Sequence, residues 1–333
     1  MVDATHRSFD ASDRSYYAII KKEVHAVAVS EGFPEKRIAE LDIIVAEMTS
    51  NLHKYANGGE LLLGNFGDYI ELISLDNGPG MGDLSRVMTD GYSSTNTMGH
   101  GLGSIKRLSD HFDIFSARGW GTLVLSRVYK TAPAKVKNRQ AFQYQVIVVA
   151  KPGETTSGDG YYVKVTEKYI KLLLADGLGH GPEANFAVNE AVKAFKLCPE
   201  NSPVEIIRFL HTHVRKTRGL VGTVAVFDLQ AKQFQLAGVG NIAAKLQGPV
   251  LSKSHLAYNG IIGHNIPNTM NDQVNSFSDY DRLVLCSDGM RSRWELNRLP
   301  GLTRCDSSLQ AAAVYKDYAR RTDDMSVFLA KFQ

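Results

Sequence analysis

A series of aspartates, each placed against an apolar run, is the part of this sequence whose residue types and spacing can do chemistry. Asp176 ends YIKLLLA, Asp288 follows DRLVLCS, and Asp323 and Asp324 precede MSVFLAKF, with Asp159 upstream in the SGDG turn. A charged side chain at the end of a buried strand is costly to desolvate unless it meets a cation or hydrogen-bond donors. Converging carboxylates select hard divalent cations such as Mg2+ or Mn2+. Any one Asp-Gly alone reads as a turn, but three strand-end aspartates after a Gly-Asp read together as a metal site.

A second set lies in the other half of the chain. Glu47, Asn51 and Lys54 recur at steps of four and three, so they project from one flank of a helix. A carboxylate and a carboxamide one turn apart could hold a metal through one and orient a hydroxyl or water through the other, although the same stripe also fits a solvated helix face. The strand-like YIELISL then runs into DNGPGM, where Gly78 and Gly80 behind Asp76 allow close backbone approach to a ligand. Further on, GHGLGSIKRLSDHF reads as a glycine loop opening a helix, with Leu102, Ile105, Leu108 and Phe112 turned inward. Unpaired amide groups at such a helix start form an anion site. One half thus carries the pieces of a nucleotide phosphate site and the other those of a divalent-metal site.

The elements that must position these residues are legible in outline. Ile38, Leu41, Val45, Met48, Leu52 and Tyr55 predict a core-facing helix over 35–55. In the second half QYQVIVVA, YYVKV and YIKLLLA predict strands, and PEANFAVNEAVKAF a helix. A chain of 333 residues with 44% hydrophobic content exceeds what one core usually organises. The compositional seam is 129–140, YKTAPAKVKNRQ, with four basic residues, one proline and no acid. It predicts domains over 1–130 and 141–333, joined by a basic linker at 131–140. A net charge of +3 leaves no electrostatic footprint for nucleic acid, so a protein partner is expected. The three cysteines, Cys198, Cys286 and Cys305, support neither a disulfide framework nor a cysteine zinc site. No apolar run approaches the roughly 18 residues of a membrane span, and the expected location is the cytoplasm.

The first 130 residues resemble the GHKL ATPase and kinase superfamily, matching its N box (Glu47 to Tyr55), first glycine box (Asp76 to Met81) and second glycine box (Gly99 to Gly103). Within it they are most similar to the small bacterial switch kinases of the anti-sigma and stressosome type, through LDIIVAEMTSNLHKYANGGE and VMTDGYSSTNTMGHGLGSIKRLSDHFDI. The resemblance implies a Bergerat α/β sandwich that binds ATP and Mg2+. It implies that Asp76 recognises adenine, Asn51 binds magnesium and Glu47 is the base, with Gly78, Gly80, Gly99, Gly101, Gly103 and Thr122 completing the pocket. The implied acceptor is a serine or threonine on a small STAS-domain antagonist. A histidine kinase would need a phosphoacceptor histidine followed by an acid, and no His-Glu or His-Asp pair occurs; His25 and His53 read as ordinary helix positions.

Residues 140–333 resemble the metal-dependent PPM protein phosphatases in their SpoIIE-type branch, with GD, ADGLGHG, SDGM and TDDMS in the family's order. The implied fold is an α-β-β-α sandwich, so the whole chain is expected to be a two-domain α+β protein. The implied centre holds two Mn2+ or Mg2+ ions: Asp176 bridges them, Asp159 and the Gly177 carbonyl lie on one side, and Asp288 and Asp323 on the other. Asp176 is the catalytic position, and paired cations activate a water for attack on phosphorus. One departure from the family pattern is Tyr162, where many relatives place another aspartate. Asp323 and Asp324 would point to opposite faces of a strand, and Asp323 is the expected ligand. His180 has either a turn role or an approach to substrate phosphate. His211 and His213, two apart on a helix, do not share a face and are no metal pair.

The combined expectation is a partner-switching regulator that phosphorylates and dephosphorylates serine or threonine on a STAS-type protein. Two alternatives stay open: a nucleotide-gated module that sequesters a sigma factor or another regulator, and a phosphatase governed by an ATP-sensing domain.

Overall fold

The computed structural model of the chain describes residues 6–82, 101–133 and 141–333. Gly99, expected in the nucleotide pocket, lies outside them. The chain forms two compact units, the first drawing on residues 1–138 and 295–316, the second on 139–294 and 317–333. The units in space therefore depart from the sequence halves at 295–316, which lies far beyond the basic seam yet belongs with the first unit.

In the first unit, strands β1 (Arg7–Asp10), β2 (Glu60–Asn65), β3 (Tyr69–Leu75), β4 (His111–Ala117) and β5 (Gly121–Tyr129) make one antiparallel sheet in the order β1-β2-β3-β5-β4. Strand side chains alternate between faces, and here the alternation sorts two different chemistries. Leu61, Leu63, Ile70, Leu72, Val124 and Val128 turn to one face and pack with helices α1 (Tyr17–Ser30), α2 (Glu35–Ala56) and α3 (Gly101–Leu108). Glu71 and Arg127, opposite each other in the β3–β5 register, turn to the other face. That second face meets helix α6 (Ser307–Tyr318) and the residue before it: Tyr315 donates to Glu60 at 2.7 Å and Ser308 to Glu71 at 2.9 Å. Every residue from Ser307 to Tyr315 is buried.

Helix α2 spans the predicted stretch, with Leu41, Ile44, Val45, Met48, Thr49 and Leu52 buried. It stops at Asn57, whose φ of 54° is the left-handed conformation asparagine tolerates at a helix end. Tyr55, expected on the core stripe, is 43% exposed because it falls in the last turn, beyond the sheet's cover. Helix α3 is shorter than the sequence pattern suggests. The Ser109 hydroxyl turns back to the Ile105 carbonyl at 2.7 Å and Asp110 N–H pairs with Arg127 O, so Phe112 lies in β4 rather than on the helix.

The second unit has two five-stranded antiparallel sheets. One joins β7 (Asp159–Val165), β8 (Tyr169–Gly177), β9 (Leu220–Asp228), β10 (Gln233–Val239) and β13 (Gln273–Ser276) in the order β13-β10-β9-β8-β7. The other joins β6 (Phe142–Val149), β11 (Ala243–Gln247), β12 (Ser252–His255), β14 (Arg282–Cys286) and β15 (Met325–Phe332) in the order β12-β11-β14-β15-β6. The inner faces meet in an aromatic layer, with Phe227 of β9 at 4.9 Å from Phe142 and 5.0 Å from Phe332, ring centre to ring centre. Such rings bury large areas and lock by edge and tilted contacts. Val224 and Val226, alternating with Phe227, face outward into helices α4 (Pro182–Leu197) and α5 (Pro203–His213). Among the described residues no helix is long and apolar enough to cross a membrane.

Candidate functional sites

The first site is assembled from α2, the end of β3, the β4–β5 turn and the start of α3. Glu47 and Asn51 are half-buried on α2 and face Gly101: a Cβ built on that glycine would lie 3.0 Å from Glu47 Oε2 and 3.2 Å from Asn51 Oδ1. Lys54, the third member of the stripe, is exposed. Asp76 leaves the end of β3 with its Oδ1 accepting from Gly78 N–H at 2.8 Å and Thr122 N–H at 3.0 Å. Burial raises its carboxyl above the usual range, and those two amides and the Lys316 charge partly oppose the rise. Gly80 has φ +67° and a Cβ there would fall 2.0 Å from the Ala117 carbonyl oxygen, so only glycine brings this turn against β4. Thr122 pairs its hydroxyl with Ser116 at 2.9 Å, and Gly103 lies within α3. The structure thus brings Glu47, Asn51 and Gly101 together, and separately links Asp76, Gly78 and Thr122.

In the second unit Asp159 of β7 stands directly opposite Asp176 of β8 in the antiparallel register. Opposed residues share a face with Cβ atoms about 5 Å apart, and like charges so placed repel. Asp159 is 4% exposed, and among the described residues neither of its carboxylate oxygens has a hydrogen-bond partner. Burial, then the charges of Asp324 and Asp288, push its pKa up to about 7; the Ser287 and Ser326 hydroxyls nearby moderate the shift without a well-formed bond to it. Asp176 is pushed up to about 10 by burial and then by the charges of Asp159, Asp288, Asp323 and Asp324. A buried carboxylate with orphaned oxygens opposite a second, half-buried one is the environment that a divalent cation relieves, and carboxylate oxygen is the donor such cations take. The residues present therefore fit the expected metal.

The remaining expected ligands are placed around this pair with less closure. Gly177 is buried against α4, and its N–H donates to Gly158 O at 3.0 Å. Asp288 is exposed just beyond β14 and accepts from Asn241 Nδ2 at 2.8 Å. Among the described residues no three histidine, cysteine or carboxylate side chains already form a metal cage.

The two adjacent aspartates before β15 separate by environment. Asp324 is 3% exposed and its oxygens accept from Lys151 N–H at 2.9 Å and Gly158 N–H at 2.8 Å, which ties the SGDG turn in place. Asp323 is half-buried and accepts from the N–H of Asp324 at 2.9 Å. Tyr162 packs edge-on against Phe195 with the Lys196 ammonium 4.7 Å over its ring, a structural position. His180 pairs with Glu154 at 2.8 Å, His211 accepts from Gly263 N–H at 3.0 Å, and His213 stacks on Phe209. Asn241 and the serines around Asp159 escaped the sequence reading, because single amides and hydroxyls in strands and turns carry no spacing signal.

Comparison with known proteins finds a different family in each part of the sequence, and the second match runs through 295–316. Residues 9–127 match the histidine kinase-like ATPase domain, and residues 166–333, half of the chain, match the Stage II sporulation protein E (SpoIIE) family. The serine/threonine-protein kinase RsbT of Bacillus subtilis (strain 168) is 34% identical over 100 residues, 29% of this chain and 75% of RsbT. The phosphoserine phosphatase RsbX of the same organism is 29% identical over 119 residues, 34% of this chain and 58% of RsbX, so the match spans little more than half of that relative. A solved chain from the bacterial stressosome, described as a modular system adapted to control secondary messenger signaling, is 29% identical with a TM-score of 0.53, covering 58% of this chain and all of its own. With its opposed aspartates in a PPM-type sandwich and its Glu47, Asn51 and Gly101 together in a GHKL-type one, the chain belongs to the SpoIIE family and carries an RsbT-like histidine kinase-like ATPase domain ahead of it.

Proposed function

We propose that the protein is a bifunctional partner-switching regulator of the cytoplasm, in which the first unit phosphorylates serine or threonine on a STAS-domain protein and the second removes the phosphate. The observation that carries this reading is the Asp159–Asp176 pair, opposed in register and buried without donors for Asp159. Asp159, Asp176, the Gly177 carbonyl, Asp288 and Asp323 would hold the cations. Paired divalent cations supply a water of lowered pKa and neutralise phosphate charge. Asp176, which faces Asp159 across the β7–β8 register and feels the charges of Asp288 and Asp323, would be one of the residues that hold the ions. Asp324 keeps the SGDG turn in position through its two amide bonds.

In the first unit Asn51 would hold Mg2+ and Glu47 would accept the hydroxyl proton of the incoming serine. Asp76, fixed through Oδ1, would present its other oxygen to the adenine amino group. Positioning and charge neutralisation supply most of the rate in phosphoryl transfer, so this small set of groups suffices. The test is mass spectrometry of candidate STAS proteins after incubation with the protein and ATP–Mg2+, and of their phosphorylated forms after incubation with Mn2+. Asn51→Ala should abolish the first change and Asp288→Ala the second; persistence of either change in its variant refutes that half of the assignment.

One observation favours a second reading, in which nucleotide occupancy governs the phosphatase. Residues 295–316 lie between β14 and β15 in sequence yet belong to the first unit. There Lys316 donates to the Trp120 carbonyl at 2.9 Å and its charge acts on Asp76. A phosphatase rate that varies with ATP in a Glu47→Ala variant would favour sensing over transfer.

A further inference from the structure

The chain crosses from one sheet of the second unit to the other beside the proposed metal centre. β10 ends at Val239 and β11 starts at Ala243, and these strands belong to different sheets. Gly240 and Asn241 lie in the crossing. Gly240 has φ +102°, and a Cβ there would fall 2.2 Å from Val221 Cγ1, so the turn needs glycine to press against β9. Its N–H donates to Tyr258 O at 2.8 Å, which fixes the backbone just before Asn241. Val221 stands directly opposite Asp176 in the β8–β9 register, as Asp159 does in β7–β8. Adjacent strands lie about 5 Å apart, so the turn that carries Asn241 is anchored about 10 Å from Asp176.

Asp288 comes from the other sheet, and its backbone is equally fixed. Ser287 N–H donates to Ser326 O at 3.2 Å and Met290 N–H to Ser287 O at 3.1 Å. A Cβ on Gly289 would fall 1.9 Å from the Asp324 carbonyl oxygen. What these contacts leave undetermined is the rotation of the exposed Asp288 side chain about its own bonds. Asn241 determines it, because Nδ2 donates to Asp288 Oδ2 at 2.8 Å. An exposed hydrogen bond is ordinary by itself. This one joins a turn anchored on the strand beside Asp176 to the one proposed ligand that leaves β14 in the other sheet.

Held in this way, Asp288 presents Oδ1. A carboxylate with one oxygen occupied by an amide ligates through the other alone. Ligation by single oxygens suits cations that take six ligands in octahedral geometry, Mg2+ and Mn2+, whereas Ca2+ accepts up to eight oxygens and takes carboxylates through both.

We propose that Asn241 is a positioning residue of the metal centre: by holding Asp288 Oδ2 it turns that carboxylate to offer one oxygen, and so sets a preference for Mg2+ and Mn2+ over Ca2+. This rests on the metal-dependent phosphatase reading of the second unit and names what that reading leaves open, how the cation is chosen.

The test is titration calorimetry of the full chain with Mn2+ and, separately, with Ca2+, following the binding step that Asp288→Ala weakens. Asn241→Leu removes the donor at similar size and Asn241→Ala removes the amide outright; the position is exposed, so neither disturbs the core. In both variants Mn2+ affinity at that step should fall about tenfold, the scale of losing a partner to a metal ligand, while Ca2+ affinity should hold or rise. Added to Asp288→Ala, the same substitutions should have no further effect on either ion, because a residue that acts through another then has nothing to act on. Unchanged Mn2+ affinity in the single variants, an equal loss for both ions, or a further loss on the Asp288→Ala background overturns the proposal. Failure of the unaltered protein to bind Mn2+, or of Asp288→Ala to weaken that binding, defeats the metal assignment itself, and is told apart because no change at Asn241 is involved.

Discussion

Arg127 and Asp306 form a two-pronged pair across 179 residues of sequence, with Nη1 donating to Oδ2 at 3.2 Å and Nη2 to Oδ1 at 3.0 Å. The same guanidinium donates through Nε to Glu71 at 2.7 Å, and His6 closes the far side of Glu71 at 3.3 Å. Against the opposing effect of burial, the His111 hydrogen bond, then the Arg127 charge and the Ser308 N–H, hold the Asp306 carboxyl well below the usual range. Removing one partner of a buried pair leaves the other charge uncompensated. Asp306→Ala should therefore cost about 3–5 kcal/mol, read as a shift in the denaturant midpoint. A loss below about 1 kcal/mol, the range of exposed pairs, would show that the clamp does not carry the docking of this segment.

The proposed metal centre sets a pH dependence whose sign follows from its carboxyls. Burial and the neighbouring carboxylates push Asp159 up to about 7 and Asp176 up to about 10, against a reference of 3.8. A carboxyl raised by folding supports the fold fully below its unfolded pKa, and that support is lost as pH climbs through the folded value. Metal-free protein should lose stability from about pH 4 upward through both values, and a bound divalent cation should restore it by replacing the protons. The melting-temperature gain on adding Mn2+ should be greater at about pH 8 than at about pH 5.5, by at least about 3 °C. An equal or larger gain at the acidic pH contradicts the assignment.

Asp323 and Asp324 make opposite predictions although they are neighbours. Asp324→Ala strands the Lys151 and Gly158 N–H groups. It should lower stability by about 1–3 kcal/mol for each amide left unpaired. Asp323→Ala should leave the melting temperature of the metal-free protein near its original value and weaken Mn2+ binding by titration calorimetry at least about tenfold. A reversal of the two phenotypes would move the ligand assignment to Asp324.

In the first unit Gly101 is the sensitive point. Its missing Cβ is the space between α3 and the Glu47–Asn51 pair, with contacts at 3.0 and 3.2 Å. Gly101→Ala should weaken ATP binding by about tenfold or more, since about 1.4 kcal/mol of displaced contact suffices for that factor. Fluorescent-nucleotide titration measures it, with the thermal melt as a control for folding. Unchanged affinity would separate Gly101 from the nucleotide pocket.

Much of this was legible because strand-end aspartates and helical stripes are local patterns. Asp176 and Asp288 stand out from the apolar runs that precede them, and α2 announces itself by its repeat. The choice between Asp323 and Asp324 rested on strand alternation alone, and the amides that occupy Asp324 come from Lys151 and Gly158, remote in sequence. The assignment of 295–316 to the first unit was not legible at all. Its anchors are single residues, Asp306, Ser308 and Tyr315, whose partners Arg127, Glu71 and Glu60 lie in strands far upstream. Nothing in a linear pattern marks a serine as the cap of a distant glutamate. Phe112 was misplaced for a related reason: the Ser109 back-bond that ends α3 is a tertiary choice, reinforced by pairing with β5.

The covered face of the first sheet has a bearing on dissecting the gene. A fragment cut at the basic seam would carry Glu60, Glu71 and Arg127 without Tyr315, Ser308 and Asp306, exposing an acid-base ladder built to be roofed over. Two polypeptides split there and mixed should reassociate, because each lacks what the other supplies.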